Sequence, residues 1–316
     1  MPWFQAMFVD REVGVAEKIF APFEGDDDRR RREASVRSVP ECARYDAHGL
    51  HMRDETVAAE IPVLLFCNGV CLNALSCTPV DLVDLAYGAL FSAGVVDAAS
   101  DIASVEIGGT ADAPIVDVTL REGLSASESA MRLSPLSGCP RSLCDQGVPS
   151  YFPARMVHVG PSRPFPAAAI TRAANALRDK QGMHQATGAT HAAAFVSREG
   201  DFLMLREDVG RHNALDKLIG ALLRAGIDPQ EGFVFLSSRC ALELVSKAAR
   251  FGVGLVATVS APTSAVLEFA VQADVALAAF ARDDRFTVYT HPERIAFDAS
   301  CDCESEGECV ACRASA

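Results

Sequence analysis

The sequence predicts an α/β fold in which a mixed or largely parallel sheet is covered by helices. Three observations carry this expectation. Beyond residue 153, short apolar runs alternate with helical stretches. An earlier uncharged run is split by Asn68-Gly69, the signal of a two-residue hairpin turn, and is followed by a helix. No internal repeat suggests a solenoid. A length of 316 residues suits two domains and supports a full hydrophobic core.

Residues 1–35 mix a few apolar residues with an acidic-then-basic run and read as a poorly ordered arm. Order is expected to be established near Glu60. Ile61–Cys67 and Val70–Cys77 form the hairpin, and Thr78-Pro79 then offers an N-cap followed by proline at the first helical position. That helix runs through Leu82, Leu85, Ala86, Ala89 and Leu90 and ends at Gly94. Strands near Ala103–Ile107 and Ile115–Leu120 and a short Ser/Ala helix complete a small N-terminal unit, residues 36–133. Ser134–Pro153 is a loop rich in Pro, Gly and Ser.

The second unit, residues 154–298, opens with a helix over Pro166–Gln181 that Gly182 stops. Strands follow at Ala192–Ser197, Phe202–Arg206, Gly232–Leu236, Gly254–Val259 and Asp274–Phe280, with helices between the later ones. The helix after Arg206 carries its stripe on Leu215, Leu218, Ile219, Leu222 and Leu223, spaced as one face of a helix packed on a core. Asn213 is a good N-cap, and Asp216 suits the positive end of the helix dipole. Residues 299–316 form a separate Cys-rich tail.

The net charge of −13 argues against a nucleic-acid binder, because phosphate backbones are held mainly by Lys and Arg. Ile61–Val80 and Gly252–Leu267 are uncharged, but Asn68-Gly69 interrupts one and Pro262 with several Ser and Thr the other, so no membrane span is expected. The arginines near Arg30 are followed by no apolar segment, which argues against an export signal and for the cytoplasm. Eleven cysteines are then expected to serve as thiols, metal ligands or sulfur chemistry rather than structural disulfides.

Ligands of open α/β sheets gather beyond the carboxyl ends of the strands. Four polar clusters fall there. The first is Asp208-Val-Gly-Arg-His-Asn213, where Gly210 admits close approach and Arg211, His212, Asn213 and free amides suit an anion. The others are Ser237-Ser-Arg-Cys240, Ser260-Ala-Pro-Thr-Ser264 and Phe280-Ala281-Arg282-Asp283-Asp284-Arg285. Arg211, Arg239, Arg282 and Arg285 supply local positive charge, for which phosphate or pyrophosphate is the natural partner.

Two cysteine groups stand out. Cys139 and Cys144 flank Arg141 in the polar loop, where a neighbouring guanidinium favours the reactive thiolate. Cys301, Cys303, Cys309 and Cys312 offer C-x-C and C-x-x-C spacings suited to zinc or an iron–sulfur centre. The five residues between those pairs are fewer than a usual zinc ribbon has, and an acidic tail with redox-active thiols is an equal reading. Cys42, Cys67, Cys71, Cys77 and Cys240 lie in or beside apolar sequence, where buried small hydrophobes are the default.

Thr187-Gly-Ala-Thr-His191-Ala-Ala-Ala-Phe195, Arg206-Glu-Asp-Val-Gly-Arg-His-Asn-Ala-Leu-Asp-Lys217, Ser260-Ala-Pro-Thr263 and Val288-Tyr-Thr-His-Pro-Glu-Arg294 closely resemble the FdhD/NarQ family of formate dehydrogenase accessory sulfurtransferases. The resemblance runs from about Glu60 to about Ile295. It implies an α/β fold with a small N-terminal α/β domain, a cytidine-deaminase-like three-layer C-terminal domain with a mixed sheet, and a homodimer. It also implies a role: sulfur is accepted as a cysteine persulfide from an IscS-type cysteine desulfurase. That sulfur passes to a molybdenum cofactor, bis-molybdopterin guanine dinucleotide (Mo-bis-MGD), before insertion into apo formate dehydrogenase.

The family's cofactor-contacting segment falls on Phe280–Arg285, and a GDP- or GMP-like nucleotide would share that pocket. The family's C-x-x-C loop is altered here, with four residues between the thiols. Alignment on Ser137-Gly138 makes Cys139 the persulfide carrier and Cys144 its partner, and Cys144 as carrier stays open. A zinc deaminase is disfavoured, since His191-Ala192-Ala193 lacks the glutamate of the His-x-Glu signature. A cofactor-binding chaperone without sulfur transfer, and a metal or redox sensor acting through the tail, are the competing readings.

Overall fold

The computed structural model describes residues 34–124 and 157–297. The expected Ser/Ala helix, the Cys139–Cys144 loop and the Cys301–Cys312 tail lie outside the described residues.

Regular structure begins earlier than Glu60. Strands β1 (Val36–Asp46) and β2 (Gly49–Ala58) pair antiparallel as a separate two-stranded ribbon. The ribbon shows almost no buried position on either face, so the apolar alternation that betrays a half-buried strand is missing from its sequence. The next hairpin is as expected: β3 (Ile61–Cys67) and β4 (Val70–Cys77) turn through Asn68 at φ 49° and Gly69 at φ 75°. Two successive positive φ values are what a type I′ turn requires, and Asn-Gly tolerates them best.

Helix α1 spans Leu82–Ser92 and starts later than expected, after Asp81 rather than at Thr78. Thr78 is instead consumed by a long-range contact described below. Strands β5 (Ile102–Thr110) and β6 (Ala113–Leu120) complete a sheet in the order β4-β3-β6-β5, with β3 and β6 parallel.

The second unit contains β7 (Phe165–Pro166), α2 (Ala167–Lys180), α3 (Gly182–Thr187), β8 (His191–Ser197) and β9 (Phe202–Asp208). Then come α4 (Arg211–Ala225), β10 (Gly232–Leu236), α5 (Leu242–Phe251), β11 (Leu255–Thr258) and α6 (Ser264–Gln272). Strands β12 (Ala276–Arg282), β13 (Arg285–Thr290) and β14 (Ile295–Ala296) end the series. Gly182 does not simply stop a helix; it begins α3 after the break at Gln181. β13 was not expected, because its alternating pattern is polar at every second residue and short.

Six strands form one mixed sheet in the order β13-β12-β11-β10-β8-β9. β10, β11 and β12 are parallel, β8 runs antiparallel to β10, and β9 antiparallel to β8. Alternate residues of each strand enter two apolar layers. Phe233, Phe235, Leu255 and Ala276 pack with Ile170 and Leu177 of α2 on one face. Val234, Leu236, Val256 and Leu277 pack with α4, α5 and α6 on the other. That second layer is continuous with Leu65, Val116 and Leu90 of the N-terminal unit, so the two units share one core.

The join is a tight crossing of α1 on α4. Gly88 and Gly220 face each other's backbones: a Cβ on Gly88 would strike the carbonyl oxygen of Asp216, and one on Gly220 that of Asp84. Because backbone cannot retreat as a side-chain tip can, Gly88→Ala is expected to destabilise the protein by about 3 kcal/mol, the upper range for overpacking. Urea unfolding at neutral pH would read it as a lowered midpoint; an unchanged midpoint would mean the helices do not cross this closely.

Candidate functional site

The carboxyl ends of β9, β10, β11 and β12 share one edge of the six-stranded sheet, as do the start of β8 and the β12–β13 turn. The four polar clusters expected at strand ends are thereby brought together, along with His191 at the head of β8.

Much of the charge in Arg206–Lys217 is spent inside the protein. The turn after β9 does hold an anion, but the anion is its own: Asp208. Its Oδ1 accepts from the Gly210 amide at 2.7 Å and from Asn213 Nδ2 at 3.1 Å. Its Oδ2 accepts from the Thr78 amide (3.0 Å), the Thr78 hydroxyl (2.7 Å) and Lys217 Nζ (2.6 Å). Asp208 and Lys217 are both fully buried. Burial works against the Lys217 ammonium, but Asp208 above all holds it above its ordinary value.

Asn213 is consequently not the N-cap. Gly210 occupies that place, and Asn213, inside α4, donates to the Ser76 carbonyl at 2.8 Å. Asp216 binds Lys247 Nζ at 2.5 Å and the Ser92 hydroxyl at 2.6 Å rather than serving the helix dipole alone. Arg206 and Arg224 both donate to Asp84 of α1. Glu207 accepts the Met183 and His184 amides, each at 2.9 Å, and so caps α3.

Arg211 and His212 are what remain of the motif for a ligand. Arg211 Nε is buried without a partner among the described residues. His212 is buried, and its proton affinity is pushed down to about 3 by that burial, then by Lys247, Arg211 and His191. His191 is lowered for the same reasons: burial first, then Arg211, His184 and Arg239. These mutual effects locate two arginines and three imidazoles in one neighbourhood. His184 was not singled out from sequence. Its Nδ1–H donates to the Thr190 carbonyl at 2.9 Å, which fixes the orientation of the ring. A second His seven residues before His191 was the available signal.

The remaining predicted residues line the same edge in different capacities. The Ser237 hydroxyl accepts the Ala192 amide at 2.7 Å and so pins the β8–β10 ends. The Ser260 carbonyl accepts the Phe280 amide at 3.2 Å. Phe280 sits at φ 54°, unusual for a bulky residue, and is 42% exposed. Ala281 is buried. Arg282 Nε donates to the Val259 carbonyl at 3.1 Å, and Asp283 at φ 53° with Asp284 turns the chain into Arg285. An exposed ring held in a strained conformation beside arginines is a shape suited to a flat, anionic ligand.

Comparisons with known proteins identify the family. The sequence model of the FdhD/NarQ family matches residues 58–296. The sulfur carrier protein FdhD of Bordetella petrii is 38% identical over 249 residues, spanning 78% of this chain and 89% of that protein. The sulfur carrier protein FdhD of Chromobacterium violaceum is 42% identical over 244 residues, spanning 75% and 88%. A crystal structure of a formate dehydrogenase accessory protein from Desulfotalea psychrophila superposes with a TM-score of 0.64 at 22% identity, covering 82% of this chain and 99% of that one. No helix among the described residues is long and apolar enough to cross a membrane.

Two measurements follow from the buried charges. Lys217→Met strands Asp208 in the core, and urea unfolding should show a loss of about 3–5 kcal/mol; a loss below about 1 kcal/mol would mean the pair is solvated. For His212 the folded-state affinity is lowered, so the unfolded chain takes up the proton first. Its contribution is complete above its ordinary value near 6.5 and is lost as pH falls toward about 3. Between pH 6.5 and 4.5 the stability of wild type should therefore fall more steeply than that of His212→Gln, by up to about 1.4 kcal/mol per pH unit.

Proposed function

Given that the chain belongs to the FdhD/NarQ family, we propose that it is a sulfur carrier for formate dehydrogenase maturation, acting on a bound guanine-dinucleotide molybdenum cofactor as its substrate. The observation that carries the binding half is the sheet edge itself: Arg211, Arg239, His184, His191 and His212 gather beyond four strand ends, and the buried Nε of Arg211 lacks a partner among the described residues. Phosphates would meet Arg211 and Arg239, the imidazoles of His191 and His212 would donate or accept hydrogen bonds, and Phe280 would stack on a base. Ser237 and Ser260 keep the strand ends and the Phe280 turn in place. Arg282 and Arg285 add positive charge at the rim.

The sulfur half falls to Cys139 by resemblance to the family, with Cys144 as its partner, and the five cysteines among the described residues are poor alternatives. Burial pushes the thiols of Cys67 up to about 11 and of Cys77 and Cys240 up to about 12, far from the thiolate that chemistry needs. Cys42 and Cys71 sit on β1 and β4, outside the six-stranded sheet. In the proposed exchange the Cys139 thiolate attacks the outer sulfur of a desulfurase persulfide. One S–S bond forms, another breaks, and the desulfurase cysteine leaves as a thiolate. Attack of Cys144 on Cys139 would then close a disulfide, the two thiols supplying the electrons that release the sulfur as sulfide to the cofactor.

Incubation with a cysteine desulfurase and cysteine should add the mass of one sulfur atom to wild type and none to Cys139→Ala. An unchanged adduct in that variant would move the carrier to Cys144 or the tail. In parallel, Arg211→Ala should weaken GDP binding about tenfold by calorimetry, the effect of losing a charged hydrogen bond, while leaving the sulfur adduct intact. Formate dehydrogenase activation surviving the Cys139/Cys144 double alanine variant would favour a cofactor chaperone without sulfur transfer.

A further inference from the structure

The last three residues of β9 use both faces of the sheet. Arg206 and Asp208 reach the join with the N-terminal unit, so Glu207 between them points the other way, toward α3, from a position opposite Ala192 of β8. Glu207 is buried, and its hydrogen bonds go to the two segments that flank a single imidazole. Oε1 accepts the Met183 amide; Oε2 accepts the His184 amide and the Thr190 hydroxyl, each of the three at 2.9 Å.

Thr190 closes a ring of contacts. Its carbonyl accepts from His184 Nδ1 at 2.9 Å, so one carboxylate holds the backbone of His184 directly and its side chain through Thr190. A helix cap needs only the amides. The further links, from Glu207 to Thr190 and from Thr190 to the imidazole, fix the direction of a ring, which capping does not require. The same segment is tightened by the Gly188 amide on the His184 carbonyl (2.7 Å) and by the Thr187 hydroxyl on the Met183 carbonyl (2.8 Å). His184 is half-buried, and its Nε2 makes no hydrogen bond among the described residues. His184 acts electrostatically on His191, as Arg211 and Arg239 do, which places it beside the cations of the edge although it arrives from the other side of the sheet.

We infer that His184 contacts the phosphate-bearing ligand of the edge through Nε2, and that Glu207 is the positioning residue that aims it. The inference rests on the proposed reading of the edge as a nucleotide site, and it adds a contact from the α2–α3 side of the sheet to those of Arg211 and His212 on the α4 side. A ring already fixed when the ligand arrives loses no rotamer freedom on binding, so loosening it costs affinity.

A double-mutant cycle on GDP binding, read by calorimetry with the full chain, tests it. His184→Ala should weaken binding about tenfold and Glu207→Gln about fivefold, whereas the double variant should bind no more weakly than His184→Ala alone. A purely structural Glu207 would multiply its effect onto that of His184→Ala, and that result overturns the inference. Should Glu207→Gln fail to fold, Thr190→Val decides the matter: it leaves both amides capped, and it should cost about threefold in the wild-type background and nothing in His184→Ala. Equal losses in the two backgrounds overturn the inference here as well. A tenfold loss in Arg211→Ala with none in His184→Ala overturns this inference alone, while a wild type that binds no GDP overturns the nucleotide reading of the edge and this inference with it.

Discussion

The Asp208 carboxylate, buried and shared among five donors, is the constraint on which the arrangement depends. A charge in that position costs several kcal/mol unless its neighbours satisfy it. Two of the donors come from Thr78, which is 130 residues away in sequence. One carboxylate therefore closes three elements on one another: the end of β9, the first turn of α4, and the junction between β4 and α1. Lys217 completes the closure by donating to the Thr78 hydroxyl (2.9 Å) and carbonyl (3.1 Å) as well. The glycine crossing of α1 and α4 then follows geometrically, since helices whose ends are tied this closely meet only if no Cβ intervenes. With α4 held there, its first two residues, Arg211 and His212, open onto the sheet edge.

What sequence reasoning recovers and what it misses divide along the range of the interactions. The Asn68-Gly69 hairpin, the strands of the six-stranded sheet up to β12 and the apolar stripe of α4 depend on neighbours a few residues apart, and all were legible. Thr78 and Asn213 have the chemistry of local caps, yet their hydrogen bonds go to partners that only the fold brings near. No local rule distinguishes the two uses. The β1–β2 ribbon was invisible for another reason: it buries no regular face, so it leaves no hydrophobic period. At the site, the strand-end clusters were readable because topology alone collects carboxyl ends on one edge, whereas His191, at the start of β8, was singled out only within the family motif. His184 was not, because its place depends on Glu207 reaching across to cap a six-residue helix. The left-handed backbone at Phe280 has no sequence signal at all.

The electrostatics of the edge suit a cargo that is both anionic and large. The chain as a whole carries −13, so at long range it repels such a molecule rather than steering it. At a separation beyond about 10 Å that repulsion is screened in physiological salt, and the local cations dominate within it. Two of the three imidazoles are held below their ordinary proton affinity, which keeps them neutral and able to accept as well as donate. Under the proposed function, capture would depend on short-range contacts of Arg211, Arg239 and the rim arginines. A negative protein with a small positive edge would take up such a ligand by fit, and non-specific polyanions would gain little from it.

This division of labour changes how substitutions in Arg206–Lys217 should be interpreted. Six of its residues hold the two units together or cap α3, and only Arg211 and His212 are left to face the edge. Loss of function at Asp208, Lys217 or Asp216 is a loss of the scaffold, because each strands a buried charge whose cost falls on folding. Loss at Arg211 removes a side chain whose buried Nε has no partner among the described residues, so under the proposed function its cost would fall on the ligand. The two outcomes separate by temperature and denaturant: a scaffold variant fails increasingly as stability is drawn down, whereas an edge variant is equally weak at every condition in which the protein is folded. A motif dense in charge can therefore be chiefly a clasp, and under the proposed function its binding share falls to His212 and to Arg211, whose Nε has no partner among the described residues.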